Sequence, residues 1–129
     1  MGNLQNDNVE YKEVAFEVMK EGKCFKLENQ DGFIENITEN DILQYIQYMV
    51  EDTVQFVTLT APKAIASIRF VQAAIANDEI EVQIAVEKEK CHLYCKVCTQ
   101  DECEKLFLDF FRGEFVANME EYEPVLFRI

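Results

Sequence analysis

Residues 79–112 read EIEVQIAVEKEKCHLYCKVCTQDECEKLFLDFFR, and the hydrophobic period changes part-way along them. From Glu79 to Glu87, Ile80, Val82, Ile84 and Val86 alternate with Glu79, Glu81, Gln83, Ala85 and Glu87. Such a period of two marks a strand with one buried and one polar face. From His92 to Cys98, Leu93, Cys95 and Val97 alternate with His92, Tyr94, Lys96 and Cys98. A tight turn near Glu89-Lys90 makes the two runs a hairpin, pairing Val86 with Leu93 and Val82 with Val97, although it lacks the favoured Asn-Gly chemistry. Thr99 is then a good N-cap, and Glu102, three residues on, completes a capping box. Behind it Cys103, Leu106, Phe107 and Phe110 fall on one helical face, Arg112 suits the last turn, and Gly113 suits the left-handed terminal position. The spacing predicts a helix over 99–112.

The same grammar recurs upstream. Thr38 with Asp41 forms a capping box, Ile37 and Ile42 a hydrophobic staple, and Ile42, Tyr45, Ile46, Met49 and Val50 a helical stripe to about Glu51. Strands are expected at 54–60 (VQFVTLT) and 66–75 (ASIRFVQAAI), joined through Pro62 and apolar on both faces, as central strands are. The N-terminal third supports two readings. Val14, Phe16 and Val18 alternate, and Glu21-Gly22 is able to turn the chain into a strand over Cys24 to Leu27; Tyr11, Val14, Ala15, Val18 and Met19 also fit a helix capped by Asp7 with Glu10. The hairpin is favoured because the KCFKL segment needs a partner. The expected fold class is α+β: an antiparallel sheet of four to six strands with two helices packed on it, in the order ββαββββα.

At 129 residues, with no internal repeat or Pro/Ser-rich linker, a single domain over 1–129 is expected. Hydrophobic residues make up 49% and charged residues 29%, a globular composition. The 25 acidic residues outnumber the 12 basic ones, for a net charge of −13. That disfavours nucleic acid, whose non-specific binding depends on Lys and Arg, and anionic membrane surfaces. MGNLQNDNVE has neither the basic nor the apolar region of a secretory signal, and no apolar run is long enough to span a bilayer. An odd set of five cysteines fits reduced thiols, so a soluble cytoplasmic protein is expected, monomeric or weakly dimeric.

The residues with metal-binding or nucleophilic side chains cluster in CHLYCKVCTQDEC, 91–103. Cys95 and Cys98 have zinc-knuckle spacing, with Cys91, His92 and Cys103 nearby, so a small metal- or ligand-binding module is the alternative reading. In a strand, however, residues three apart point to opposite faces, and no second Cys-x2-Cys completes a four-ligand set. His92, the only histidine, is expected on the outward face across from Glu87; Cys91 faces the other way, so the two do not make a nucleophile–base pair. No phosphate-binding loop, nucleophile elbow or zinc-protease helix occurs. The expectation is a non-enzyme with no cofactor, no metal and no catalytic residue.

The acidic excess is unevenly distributed. Leu27 to Pro62 and Phe70 to Glu87 contain no Lys or Arg, and the tail adds Glu114, Glu120, Glu121 and Glu123 before Arg128. Such clustering either keeps a surface solvated or creates a field of one sign that speeds capture of a basic partner. On the second reading the candidate partner-binding residues are Glu79, Glu81 and Glu87 on the exposed face of the 79–87 strand, followed by Asp31, Glu35, Asp41 and Asp52.

RFVQAAIANDEIEVQIAVEK followed by HLYCKVCTQDECEKLFLDFFRGEF, roughly residues 66–115, resembles the small acidic immunity proteins encoded beside bacterial polymorphic and contact-dependent toxins. The resemblance implies a protein that binds its cognate toxin domain and blocks it, often over a nuclease active site. The toxin partner is then expected to be basic. No functional residue carries over, because those families differ most at their toxin-binding surfaces.

Overall fold

Two threonines start the two helices by the same device. The computed structural model describes residues 9–11, 24–88 and 90–128. Their elements are β1 (Val9–Tyr11), β2 (Lys26–Asn29), β3 (Gly32–Glu35), α1 (Glu39–Val50), β4 (Phe56–Ile65), β5 (Ile68–Ala76), β6 (Glu79–Glu87), β7 (Cys91–Cys98), α2 (Gln100–Phe111), β8 (Glu123–Pro124) and β9 (Leu126–Arg128), with a 3₁₀ turn at Met119–Glu121. At α1, the Asp41 N–H donates to Thr38 Oγ1 and the Thr38 N–H donates back to the Asp41 carboxylate at 2.8 Å. At α2, the Glu102 N–H donates to Thr99 Oγ1 at 3.1 Å and the Thr99 N–H to Glu102 Oε1 at 2.9 Å. Each box satisfies two backbone donors that a helix start leaves open.

The two helices also stop alike. At α2 the Gly113 N–H reaches the Phe110 carbonyl and the Glu114 N–H the Asp109 carbonyl, with Gly113 at φ 76°. At α1 the Asp52 N–H reaches Met49 and the Thr53 N–H reaches Tyr48, but the left-handed residue is Asp52, φ 64°. Both ends are Schellman motifs, one closed by glycine and one by an aspartate. The helices run antiparallel: Arg112 at the end of α2 binds Glu39 at the start of α1, and Gln100 at the start of α2 donates to Gln47 near the end of α1.

The class is α+β, but the sheet has seven strands in the order β3-β2-β4-β5-β6-β7-β8, every pair antiparallel, with β1 and β9 in a separate pair. The expected four to six strands fell short because β3 is exposed at all four residues and β8 has only two, too little chain for a hydrophobic period to show. The early hairpin within the described residues is β2–β3, turning at Gln30–Asp31; the strand expected over Cys24 to Leu27 begins two residues later, at Lys26. The hairpin or helix read into 12–23 lies outside the described residues. Pro62 does not join two strands. It sits within β4, where the register against β5 shifts between Thr60 and Ile65, a place that tolerates a missing N–H. The actual connection is Ala66–Ser67, both at positive φ, and Asn77–Asp78 repeats that geometry between β5 and β6.

The β6–β7 register differs from expectation by one residue. Val86 pairs with His92 and Ala85 with Leu93, Val82 with Lys96 and Glu81 with Val97. Glu87 pairs with Cys91, so three residues, not two, connect the strands, and the Lys88 N–H donates to the Lys90 carbonyl. A one-residue slip sends every side chain to the other face. Tyr94 and Cys98 therefore pack on the main core beneath the helices, whereas Cys91 and Leu93 join Ala85 in a second cluster with Phe70 and Val125. His92 shares a face with Val86 and is not across from Glu87. The main core seals Leu27, Ile42, Ile46, Leu59, Ile84, Phe107 and Phe110 completely. Each such side chain contributes about 1.5–3 kcal/mol of burial.

Candidate partner-binding surface

At one end of the sheet three distant segments meet around an open groove of about 610 Å³. The end of α1 supplies Met49, Val50 and Asp52; the β5–β6 hairpin supplies Ile75, Asp78, Glu79 and Ile80; the β7–α2 junction supplies Cys98, Thr99 and Gln100. Val50 and Ile75 are exposed, at 37% and 42%. Apolar side chains on show within a polar rim mark interaction surfaces more often than solvent-facing ones.

The electrostatics of this groove follow from the chain. Asp52, Asp78 and Glu79 lie along it, and among the described residues that line it none is Lys or Arg. The last turn of α1 carries no basic residue, so no side-chain cation of that turn offsets the partial negative charge of its carbonyls. The capped start of α2 lies beside it and opposes that dipole, which leaves the carboxylates to set the sign of the field. Asp52 and Asp78 both hold positive φ, at 64°. In a hairpin turn Asp at that angle is ordinary, but at a helix end glycine holds it with less strain.

Of the residues nominated from sequence, Glu79 and Asp52 share this groove, and Asp78, which was not nominated, lines it with them. The Asn77–Asp78 pair between two alternating runs is a hairpin-turn signature, and it was the signal available for Asp78. Glu81, two residues along the same strand face as Glu79, is half-buried and accepts from Gln83 Nε2 at 3.2 Å. Glu87 is not an exposed carboxylate: it lies 3.2 Å from Arg69 Nε, and the two side chains are only 14% and 4% exposed. The free face expected along the 79–87 strand is thus interrupted by two engaged acids. Asp41 is committed to its capping box. Asp31 and Glu35 are exposed on the β2–β3 hairpin. From there to β6 is four strand spacings, roughly 19 Å at about 4.8 Å each.

A second groove, about 380 Å³, runs between α2 and the segment 114–122. Its cations are engaged: Lys96 binds Glu121 at 2.8 Å and Lys105 binds Asp109 at 2.6 Å. Tyr122 is buried there, and burial, with the Glu121 charge, pushes its phenol up to about 12. The cysteines and His92 do not gather into one site. Cys91 and Cys95 face away from the helices while His92 and Cys98 face toward them. Burial pushes the Cys91 thiol up to about 11, and among the described residues no three His, Cys, Asp or Glu side chains converge as metal ligands. Among the same residues no helix is long and apolar enough to cross a membrane. No protein-family model, curated protein or solved structure matches this chain.

Proposed function

We propose that this chain is a non-enzymatic, cytoplasmic immunity protein that binds and neutralises a cognate bacterial toxin domain, a basic nuclease, with the Asp52–Asp78–Glu79 groove at the centre of the contact. The observation that carries the reading is that groove: three carboxylates and exposed Val50 and Ile75 line it, with no Lys or Arg among the described residues that do. A Lys or Arg side chain from a partner matches it twice, its aliphatic stem on the apolar floor and its charge at the rim. The net charge of −13 extends the attraction beyond contact distance. The sequence resemblance over 66–115 supports the immunity reading, and the groove supports this end of the sheet as the contact.

The experiment uses the basic toxin-like domain encoded beside this chain, as an inactive variant, in stopped-flow association. Asp52→Lys, Asp78→Lys and Glu79→Lys together are expected to lower the association rate about tenfold and flatten its salt dependence. An unchanged rate in a folded triple variant, or the absence of any basic domain in the adjoining gene, overturns the proposal.

A further inference from the structure

Helix α1 is entered through the staple Ile37–Ile42, and the equivalent positions in α2, one before the N-cap and four after it, are Cys98 and Cys103. A hydrophobic staple brings these two side chains together. In α2 both side chains belong to the main core, with Cys98 packed against the cluster that holds Cys103; their interaction holds Cys98 below the ordinary thiol range while Cys103 is pushed above it. Cys103 is fully buried. Cys98 is half-buried and lines both grooves described above, so a small reagent reaches it from either side. Lys96 favours its thiolate and Glu102 opposes it. The remaining thiols are placed differently: Cys91 is sealed on the opposite face of the sheet, and Cys95 points to that same face.

We propose that Cys98 and Cys103 form an oxidative modification site, in which hydrogen peroxide converts the staple of α2 into an intramolecular disulfide. The Cys98 thiolate attacks one peroxide oxygen, the O–O bond breaks, and hydroxide leaves and takes up a proton to become water. Cys98 is then a sulfenic acid. The Cys103 sulfur attacks the Cys98 sulfur, the S–S bond forms, the S–O bond breaks, and a second water carries off the Cys103 proton. Two thiols have lost two electrons and two protons, and the peroxide has been reduced to two waters. The bond ties β7 to the first turn of α2 and withdraws the Cys98 thiol from both grooves.

Both cysteines lie in one tryptic peptide, Val97–Lys105, which makes the test direct. The reduced full-length chain is exposed to hydrogen peroxide under native conditions, alkylated, denatured with further alkylating agent, and digested. The expected product is Val97–Lys105 lighter by two hydrogens and carrying no alkyl group, while Cys24, Cys91 and Cys95 are alkylated. In Cys103→Ser a dimedone adduct is expected on Cys98, and in Cys98→Ser the peptide is expected to stay unoxidised. A disulfide forming first between any other pair overturns the proposal. So does a peptide that takes two alkyl groups, or a dimedone adduct found elsewhere first.

Discussion

Arg112 and Glu39, 73 positions apart in sequence, meet in a two-pronged pair, Nε to Oε2 and Nη2 to Oε1, each at 2.8 Å. It joins the end of α2 to the start of α1, at the opposite end of the helix pair from the Gln100–Gln47 bond. The hydrogen bonds from Arg112 hold the Glu39 carboxyl below its ordinary value of 4.5. A carboxyl lowered in this way stabilises the fold at pH values above its unfolded value, and the contribution is lost as pH falls through the folded one. Glu39→Gln is therefore expected to be slightly less stable than the parent at pH 7, and the two are expected to converge below the ordinary value. Urea unfolding across pH checks this, and added salt is expected to shrink the difference.

Asp52 and Gly113 hold the same position in the two Schellman motifs, at φ 64° and 76°. Asp52→Gly is expected to stabilise the chain by about 0.5–1 kcal/mol in denaturant unfolding, because glycine adopts that angle without strain. Gly113→Ala is expected to cost about 1 kcal/mol. An added Cβ there meets nothing within 4 Å, so that loss comes from backbone conformation alone.

Arg69→Met takes from Glu87 a cation held 3.2 Å away in a nearly closed site. The expected loss is about 3 kcal/mol, because the carboxylate is left without its counter-charge away from water. Arg69→Met with Glu87→Leu is expected to recover most of it, since an apolar pair of similar size needs no desolvation of charge. Urea midpoints of the single and double variants separate these outcomes.

The acids distant from the groove give a control on the proposed contact. Reversing Asp31 and Glu35 on the far hairpin is expected to change the association rate less than about threefold at physiological salt, where the screening length is about 8 Å. A large effect would move the contact to the β2–β3 edge.

The helices were legible because their signals are local: a capping pair three residues apart, a staple, a stripe and a left-handed stop all lie within about fifteen residues. Alternation along β6 was equally plain. The partner strand was placed one residue out because Lys88–Lys90 gives no turn signature, and the side chains of β7 took the opposite faces. Nothing in GFIE or Glu123–Pro124 announces a strand; those segments pair because a neighbour offers an edge. The acidic character of the surface was visible as charge-poor and charge-rich stretches. The engagement of Glu87 by Arg69, and the sharing of one groove by Asp52 and Asp78, depend on registers that no local pattern encodes.

The groove draws on residues near 50, 76 and 99, which come together only when α1 lies down on a sheet built largely from consecutive neighbours, β4 to β7. That meander forms on short-range pairings, whereas docking α1 and bringing β2 beside β4 closes a longer loop. A partner gripping all three segments recognises the finished fold and not its intermediates. Recognition then feeds back on lifetime: at a hundred times its Kd such a partner adds about 2.7 kcal/mol to stability by mass action. On the proposed contact, a chain without its partner is expected to unfold more often and meet proteases sooner, and its cellular level to follow the partner's.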